Sequence, residues 1–162
     1  VTEISEGENI YRVTDFAPRF TQYGRYFRPK MLIRKIEPVR GFPRVRAICK
    51  PVGRYGEKHL PYERGSSHIR FTGLEETLRL TTNIPLEYMI HETAFALRET
   101  CYMVLSFGIP LEGALQSTTD QFLNLTQIYW QHWVKSTSIG EHYQAEVIRS
   151  ALVLKICHYE DT

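Results

Sequence analysis

The stretch His68-Ile69-Arg70-Phe71-Thr72-Gly73-Leu74-Glu75-Glu76-Thr77-Leu78-Arg79-Leu80-Thr81 decides the fold class. Ile69 and Phe71 alternate with His68 and Arg70, and Leu78 and Leu80 alternate with Thr77, Arg79 and Thr81. A period of two places one row of side chains inside and the other in water, which is the signature of a half-buried strand. Gly73 and the adjacent acids Glu75 and Glu76 mark the turn between the two runs.

The same pattern extends outward. Val45, Ala47 and Cys49 alternate with Arg44, Arg46 and Lys50. In Cys101-Tyr102-Met103-Val104-Leu105-Ser106 both rows are largely apolar, so this strand is expected to be covered on two faces. Turn residues punctuate the runs at Pro38 to Pro43, Pro51 to Gly56, Gly65, Asn83 to Pro85 and Gly108 to Pro110. Many short strands with regular turns predict a mainly β chain, an antiparallel β-sandwich rather than a βαβ array.

Near Ser117 the period changes. Ser117, Thr118 and Thr119 are candidate helix caps, and Asp120 suits the positive end of a helix dipole. Phe122, Leu125, Tyr129 and Trp133 then recur at spacings of three and four, an amphipathic stripe over about 118–136. Ser136 to Gly140 ends that helix, and a second is expected from about Glu141 to Tyr159. Its run from Val147 to Cys157 is apolar almost all round, which calls for cover by further helices. Without that cover the helix is expected to self-associate or to fold back beside Phe122, Tyr129 and Trp133.

Composition narrows the class. The 162 residues are 43% hydrophobic and 23% charged, which excludes a disordered chain. The longest strongly apolar stretch, Ala151 to Cys157, is too short to span a bilayer and contains Lys155, and no leader pattern opens the chain. No membrane partner is therefore expected. Cys49, Cys101 and Cys157 are odd in number and widely spaced, so buried reduced thiols in a cytoplasmic protein are expected rather than a zinc site or a disulfide framework.

The net charge of +2 is uneven. Residues 1–72 hold eleven Arg and four Lys against seven acids, a net of +8, and the remaining ninety carry −6. Arg and Tyr interleave at Tyr23 to Arg28 and at Arg54 and Tyr55, as in some nucleic-acid surfaces. The pI near 8.5 is modest for such a surface. Pairing of Arg44, Arg46, Arg70 and Arg79 with the acids of the second half is expected instead, and no nucleic-acid partner.

Catalytic patterns are scarce. His59, His68, His91, His132, His142 and His158 form no His-Glu-x-x-His arrangement. His91 and Glu92, and Glu141 and His142, are neighbours that point apart in a regular element. Ser66 and Ser67 lack a nucleophile-elbow spacing, and Gly53 and Gly56 are not followed by Gly-Lys-Ser. Glu75 with Glu76, and Glu160 with Asp161, are too close in sequence to straddle a glycosidic bond. Tyr129, Trp130 and Trp133 read as packing residues or, alternatively, a platform for sugar rings.

Several stretches carry a resemblance in collinear order. They are RVTDFAPRF (Arg12 to Phe20), FRPKMLIRKIEPVRGFPRVR (Phe27 to Arg46), GSSHIRF (Gly65 to Phe71) and LRLTTNIPLEYMIHETAFALRE (Leu78 to Glu99). YWQHWVKST (Tyr129 to Thr137) and AEVIRSALVLKICHYEDT (Ala145 to Thr162) complete the set. Together they resemble the N-terminal domain of bacterial family 15 glycoside hydrolases, the glucoamylase and trehalase-like group. The resemblance implies a large (super) β-sandwich at 1–116, then a linker helix and the first helix of an (α/α)6 catalytic barrel within 117–162. It implies inverting hydrolysis of an α-glucosidic bond by two barrel glutamates that have no counterpart here. No catalytic residue, cofactor-binding residue, cofactor or metal ligand is thereby assigned to this chain. The implied partners are the barrel of the same polypeptide, its oligosaccharide substrate and, through the C-terminal helix, a second copy. The alternative is a carbohydrate-binding module using exposed aromatics such as Tyr23, Tyr26 and Tyr55.

Overall fold

The computed structural model describes residues 1–158. In chain order the first strands are β1 (Thr2–Glu6), β2 (Asn9–Phe16), β3 (Phe20–Gln22), β4 (Arg25–Phe27), β5 (Met31–Arg40), β6 (Arg44–Val45), β7 (Val52–Gly53) and β8 (Lys58–His59). There follow β9 (Tyr62–Arg64), β10 (His68–Phe71), β11 (Leu78–Thr82), α1 (Leu86–Ile90), β12 (Phe95–Ala96), β13 (Cys101–Phe107), α2 (Leu115–Ser136) and α3 (Gln144–Cys157). One antiparallel sheet of seven strands runs β1-β2-β5-β13-β11-β10-β9. The chain is mainly β with two helices after the strands, as the alternating runs predict.

Two cores lie on the two faces of this sheet. On one, Ile36, Ile69, Phe71, Leu78, Leu80 and Cys101 meet a thin second layer that supplies Val45, Ala47, Ile84, Leu86, Met89 and Leu97. That layer is built from α1, loops and the two-stranded ladders β6–β12 and β7–β8. On the other face Met31, Ile33 and Val104 pack with Phe16, Leu111, Leu115 and Phe122 beneath α2. β13 serves both, with Tyr102, Val104 and Ser106 buried towards α2 and Cys101 buried on the opposite side. The two-faced strand expected at 101–106 is therefore central.

The Arg44–Lys50 run alternates between buried and exposed as expected, yet only Arg44 and Val45 enter a ladder, with Phe95 and Ala96. The rest of that stretch covers the sheet without joining it. Between β3 and β4 the turn is Tyr23-Gly24, both at positive φ (51° and 74°), the geometry of a two-residue hairpin. Between β9 and β10 the Gly65 amide donates to the His68 carbonyl at 2.8 Å, and a Cβ at Gly65 would collide with the His68 imidazole.

The helices depart from expectation in detail. α2 begins at Leu115, with Ala114 as its cap, so Ser117, Thr118 and Thr119 lie inside the first turns. The Ser117 and Thr118 hydroxyls donate to the Ala114 and Glu112 carbonyls instead of capping amides. α3 starts at Gln144 after a left-handed Tyr143 (φ 54°), and the end expected at Tyr159 falls outside the described residues, as do Glu160 and Asp161. No residue of α3 is buried, and Val153, Leu154 and Ile156 are 56%, 73% and 60% exposed. Lack of cover also corrects the thiols. Cys101 is buried and Cys49 partly so, but Cys157 is exposed on α3, and all three are free.

Truncation separates the two regions energetically. Ile33→Ala, at a fully buried site, is expected to cost about 2–5 kcal/mol. Leu154→Ala on α3 is expected to change stability by no more than about 0.5 kcal/mol. Urea unfolding of the two variants measures the difference, and equal losses would mean that α3 is packed.

Candidate functional site

The joint between sheet and α2 is the most elaborated polar and aromatic region. The buried side of α2 is Leu115, Thr119, Phe122, Thr126, Tyr129 and Trp133, spaced by four and three, with Thr119 and Thr126 the most buried. Small side chains at those two places let the helix lie close to the sheet. Lys35 on β5 bridges Glu37 and Asp120 at 3.0 Å each, and the Tyr102 hydroxyl donates to Asp120 at 3.1 Å. Burial alone would lower the Lys35 pKa, but its hydrogen bonds to Asp120 and Glu37 outweigh that and raise it. Burial, then the Asp120 bond, raises Tyr102 as well.

The β3–β4 hairpin closes the same joint. Phe20, Phe27 and Phe122 form a ring cluster with centroids 4.8–5.5 Å apart. The Arg19 guanidinium lies 5.7 Å from the Tyr129 ring and 5.5 Å from Trp130, and its Nε donates to the Tyr129 hydroxyl at 3.3 Å. The Arg19 amide donates to Thr126 Oγ1 at 3.2 Å. Tyr129, Trp130 and Trp133 contact one another edge to face and are half-buried, the packing arrangement rather than an open platform.

The other candidates are dispersed. His91 Nε2 lies 3.2 Å from Glu87, whereas its neighbour Glu92 pairs with Lys50, so the two point to different partners. Glu76 pairs with Lys30 at 2.8 Å while Glu75 stays exposed. His59, His132, His142, His158, Glu141, Ser66 and Ser67 are exposed. Burial, with Arg79 and Arg70 nearby, lowers the His68 pKa. Among the described residues no three His, Cys, Asp or Glu side chains gather as a metal site would require. Among the described residues no helix is long and apolar enough to cross a membrane.

The basic and acidic halves meet through Lys30–Glu76, Lys35–Asp120, Lys50–Glu92 and Arg64–Glu87. These are not the arginines expected. Arg70 approaches Glu63 of its own half at 3.8 Å and faces Arg79 across the β10–β11 ladder. Tyr23 and Tyr55 are fully exposed at two separate turns, Tyr23 at the β3–β4 tip beside α2 and Tyr55 next to the β7–β8 ladder over the other core. They therefore share no surface with each other.

A cleft of about 550 Å³ opens beside α1. The Thr93 amide donates to the Tyr88 carbonyl at 2.9 Å across a left-handed Glu92, which ends α1 in a Schellman-type turn. The reversal lays Phe95 against Tyr88, with rings 5.5 Å apart and tilted by 24°. The β6–β12 pairing brings Arg44 opposite Ala96, and Arg98 and Glu99 complete the rim. Sequence periodicity gave no sign of this site, because Tyr88 and Phe95 meet across a turn.

Among curated proteins the chain is 30% identical, over 171 aligned positions, to a trehalase of Thermoplasma volcanium. It is 28% identical over the same span to a trehalase of Thermoplasma acidophilum. Both alignments take in the whole of this chain but only 27% and 29% of the relatives. The chain thus spans less than a third of the length of the curated relatives it matches. No family model matches it. No solved structure matches it either.

The α2 joint carries a pH signature. Lys35 and Tyr102 hold their protons more tightly in the folded chain, so their contribution is complete below their ordinary values of 10.5 and 10.0. It is lost as pH rises through the raised folded values. Melting temperature should therefore fall above about pH 10. The double variant Lys35→Met, Tyr102→Phe should start lower near neutrality and fall less steeply, as read by circular dichroism. Parallel slopes would refute this assignment.

Proposed function

We propose that the chain is the N-terminal scaffold of a trehalase-like glycoside hydrolase of the family 15 kind, and that it supplies neither catalytic carboxyl group. The observation that carries this is the similarity of the whole chain to about a quarter of two trehalases. The fold agrees with it, a mainly β body followed by two helices. The whole enzyme would be cytoplasmic and hydrolyse trehalose or another α-glucoside with inversion, using an acid and a base on opposite sides of the bond. Inversion needs carboxyl groups roughly 6.5–9.5 Å apart with room for water. The clefts of this chain support a non-catalytic role. That beside β2 holds Asp15 alone among acids, that beside α1 holds Glu99 alone, and the clefts at Cys49 and at Tyr129 hold none.

In this scheme the α2 joint fixes the direction in which the chain leaves the sheet, and the apolar surface of α3 is where a helical catalytic barrel attaches. In the 162-residue chain a second copy takes the barrel's place. No nucleic-acid or membrane partner is proposed.

Two measurements test the proposal. The purified chain should release no glucose from trehalose, maltose or soluble starch. The longer polypeptide should hydrolyse one of them, and should lose activity or solubility when residues 1–116 are deleted. Glucose release by the chain alone, or full activity after the deletion, would overturn the scaffold role. Gel filtration should show dimers that Leu154→Asp with Ile156→Asp converts to monomers, with a melting temperature that no longer rises with protein concentration. A wild-type chain that elutes as a monomer at all concentrations would remove the second-copy contact.

A further inference from the structure

We infer that the cleft beside α1 is a binding site for a neutral oligosaccharide, separate in kind from any catalytic role. The choice of α-linked glucosides as probes rests on the hydrolase reading; the site itself rests on geometry. Tyr88 lines the cleft, is 38% exposed and stacks on Phe95, so its wall carries aromatic surface on which an apolar ligand face can pack. Sugar rings present axial C–H groups that pack on such a surface. Around that surface stand Arg44, Arg98 and Glu99. Among the described residues none of these three side chains has a hydrogen bond or ion pair, although Lys50, Arg64, Glu87 and Glu92 nearby are all paired. Three exposed charged groups thus surround this aromatic surface with their hydrogen-bonding capacity unspent.

Their chemistry selects the ligand. Two guanidinium groups repel a cation, and the Glu99 carboxylate opposes a polyanion. A polyol has hydroxyls that both donate and accept, and so satisfies arginine and carboxylate together. The volume of about 550 Å³ lies in the range of small-ligand pockets. The frame is also held before any ligand arrives. Asn83 Nδ2 donates to the Thr100 carbonyl at 2.9 Å, and its Oδ1 accepts from the Tyr102 amide at 2.8 Å. The Leu97 amide donates to the Pro43 carbonyl at 2.8 Å, and Leu97 is fully buried in the core beneath. A preformed frame lowers the ordering cost of binding. Tyr23 and Tyr55, more exposed, are not among the residues that line it.

The test is titration of the 162-residue chain with trehalose and with maltotriose, followed by calorimetry and amide chemical shifts. Saturable binding in the millimolar range is expected for at least one of them. Tyr88→Ala should weaken it by about tenfold or more, and Tyr88→Phe should hold it within about threefold. Arg98→Ala, at an exposed position, should weaken binding without moving the melting temperature, and it decides the matter if Tyr88→Ala fails to fold. Tyr55→Ala should leave binding unchanged. Absence of saturation with both sugars, equal affinity in the Arg98→Ala chain, or loss of binding in Tyr55→Ala would each overturn the inference. So would saturable sulfate binding at these residues with none by sugar. None of these results bears on the scaffold role, which is read from the activity of the longer polypeptide.

Discussion

Burial of β13 on both faces is the constraint on which the other elements depend. A strand in the middle of an antiparallel sheet is usually solvated on one side. Here Val104 and Tyr102 are sealed under α2 while Cys101 is sealed under the second layer. Each fully buried aliphatic side chain contributes roughly 1.5–3 kcal/mol. Neither face can be left open without losing several such terms, so α2 and the loops around α1 are both obligatory. The thin second layer follows from this. Its two-residue ladders are too short to be stable alone, and they persist because they deliver Val45 and Leu97 to a core that the sheet has already organised.

The contrast between α2 and α3 extends the same reasoning. Both are apolar enough to be helices of a folded domain, yet only α2 has a one-sided stripe. Its Thr119 and Thr126 permit close approach, and Arg19, Asp120 and Tyr129 then fix rotation and register through directed contacts. α3 has apolar side chains on all sides, and none of its residues is buried. An all-round apolar helix requires neighbours on all sides. Among the described residues no neighbour buries any residue of α3, whereas α2 is buried along one side.

Much of the sheet was legible because burial writes a period of two. Residues 68–71, 78–82 and 101–107 alternate, and all three are strands of the central sheet. Where alternation misled, at Arg44 to Lys50, it reported half-burial correctly but not hydrogen bonding, since a covering loop alternates for the same reason as a strand. β5 was hidden by Pro38. That residue lies past the last β13 partner, Ile36, and beside a register shift with β2, where a missing amide is tolerated. The helix cap was misplaced because hydroxyl residues serve equally in a first turn, where Ser117 and Thr118 bond backward to carbonyls. The α1 cleft was invisible because its parts come from three separate segments, at residue 44, at 83–88 and at 93–101. No local pattern records that kind of convergence.

The uneven charge of the sequence has a topological cause. β5, from the basic half, lies between β2 and β13, and β10 lies beside β11, so the two halves are interleaved within one sheet. Lys30, Lys35, Lys50 and Arg64 consequently come to face Glu76, Asp120, Glu92 and Glu87. The exposed pairs, those of Lys30, Lys50 and Arg64, contribute about 0–1 kcal/mol each, too little to hold the halves together against the apolar terms. Their effect is on choice among arrangements. A chain with +8 in one segment and −6 in the other is repelled from pairing like with like and drawn to pairing across. Strand order and charge order therefore favour the same topology. Arg70 and Arg79 do face each other as like charges across the β10–β11 ladder, and there Arg70 stays exposed while Arg79 Nε is buried without a hydrogen-bond partner.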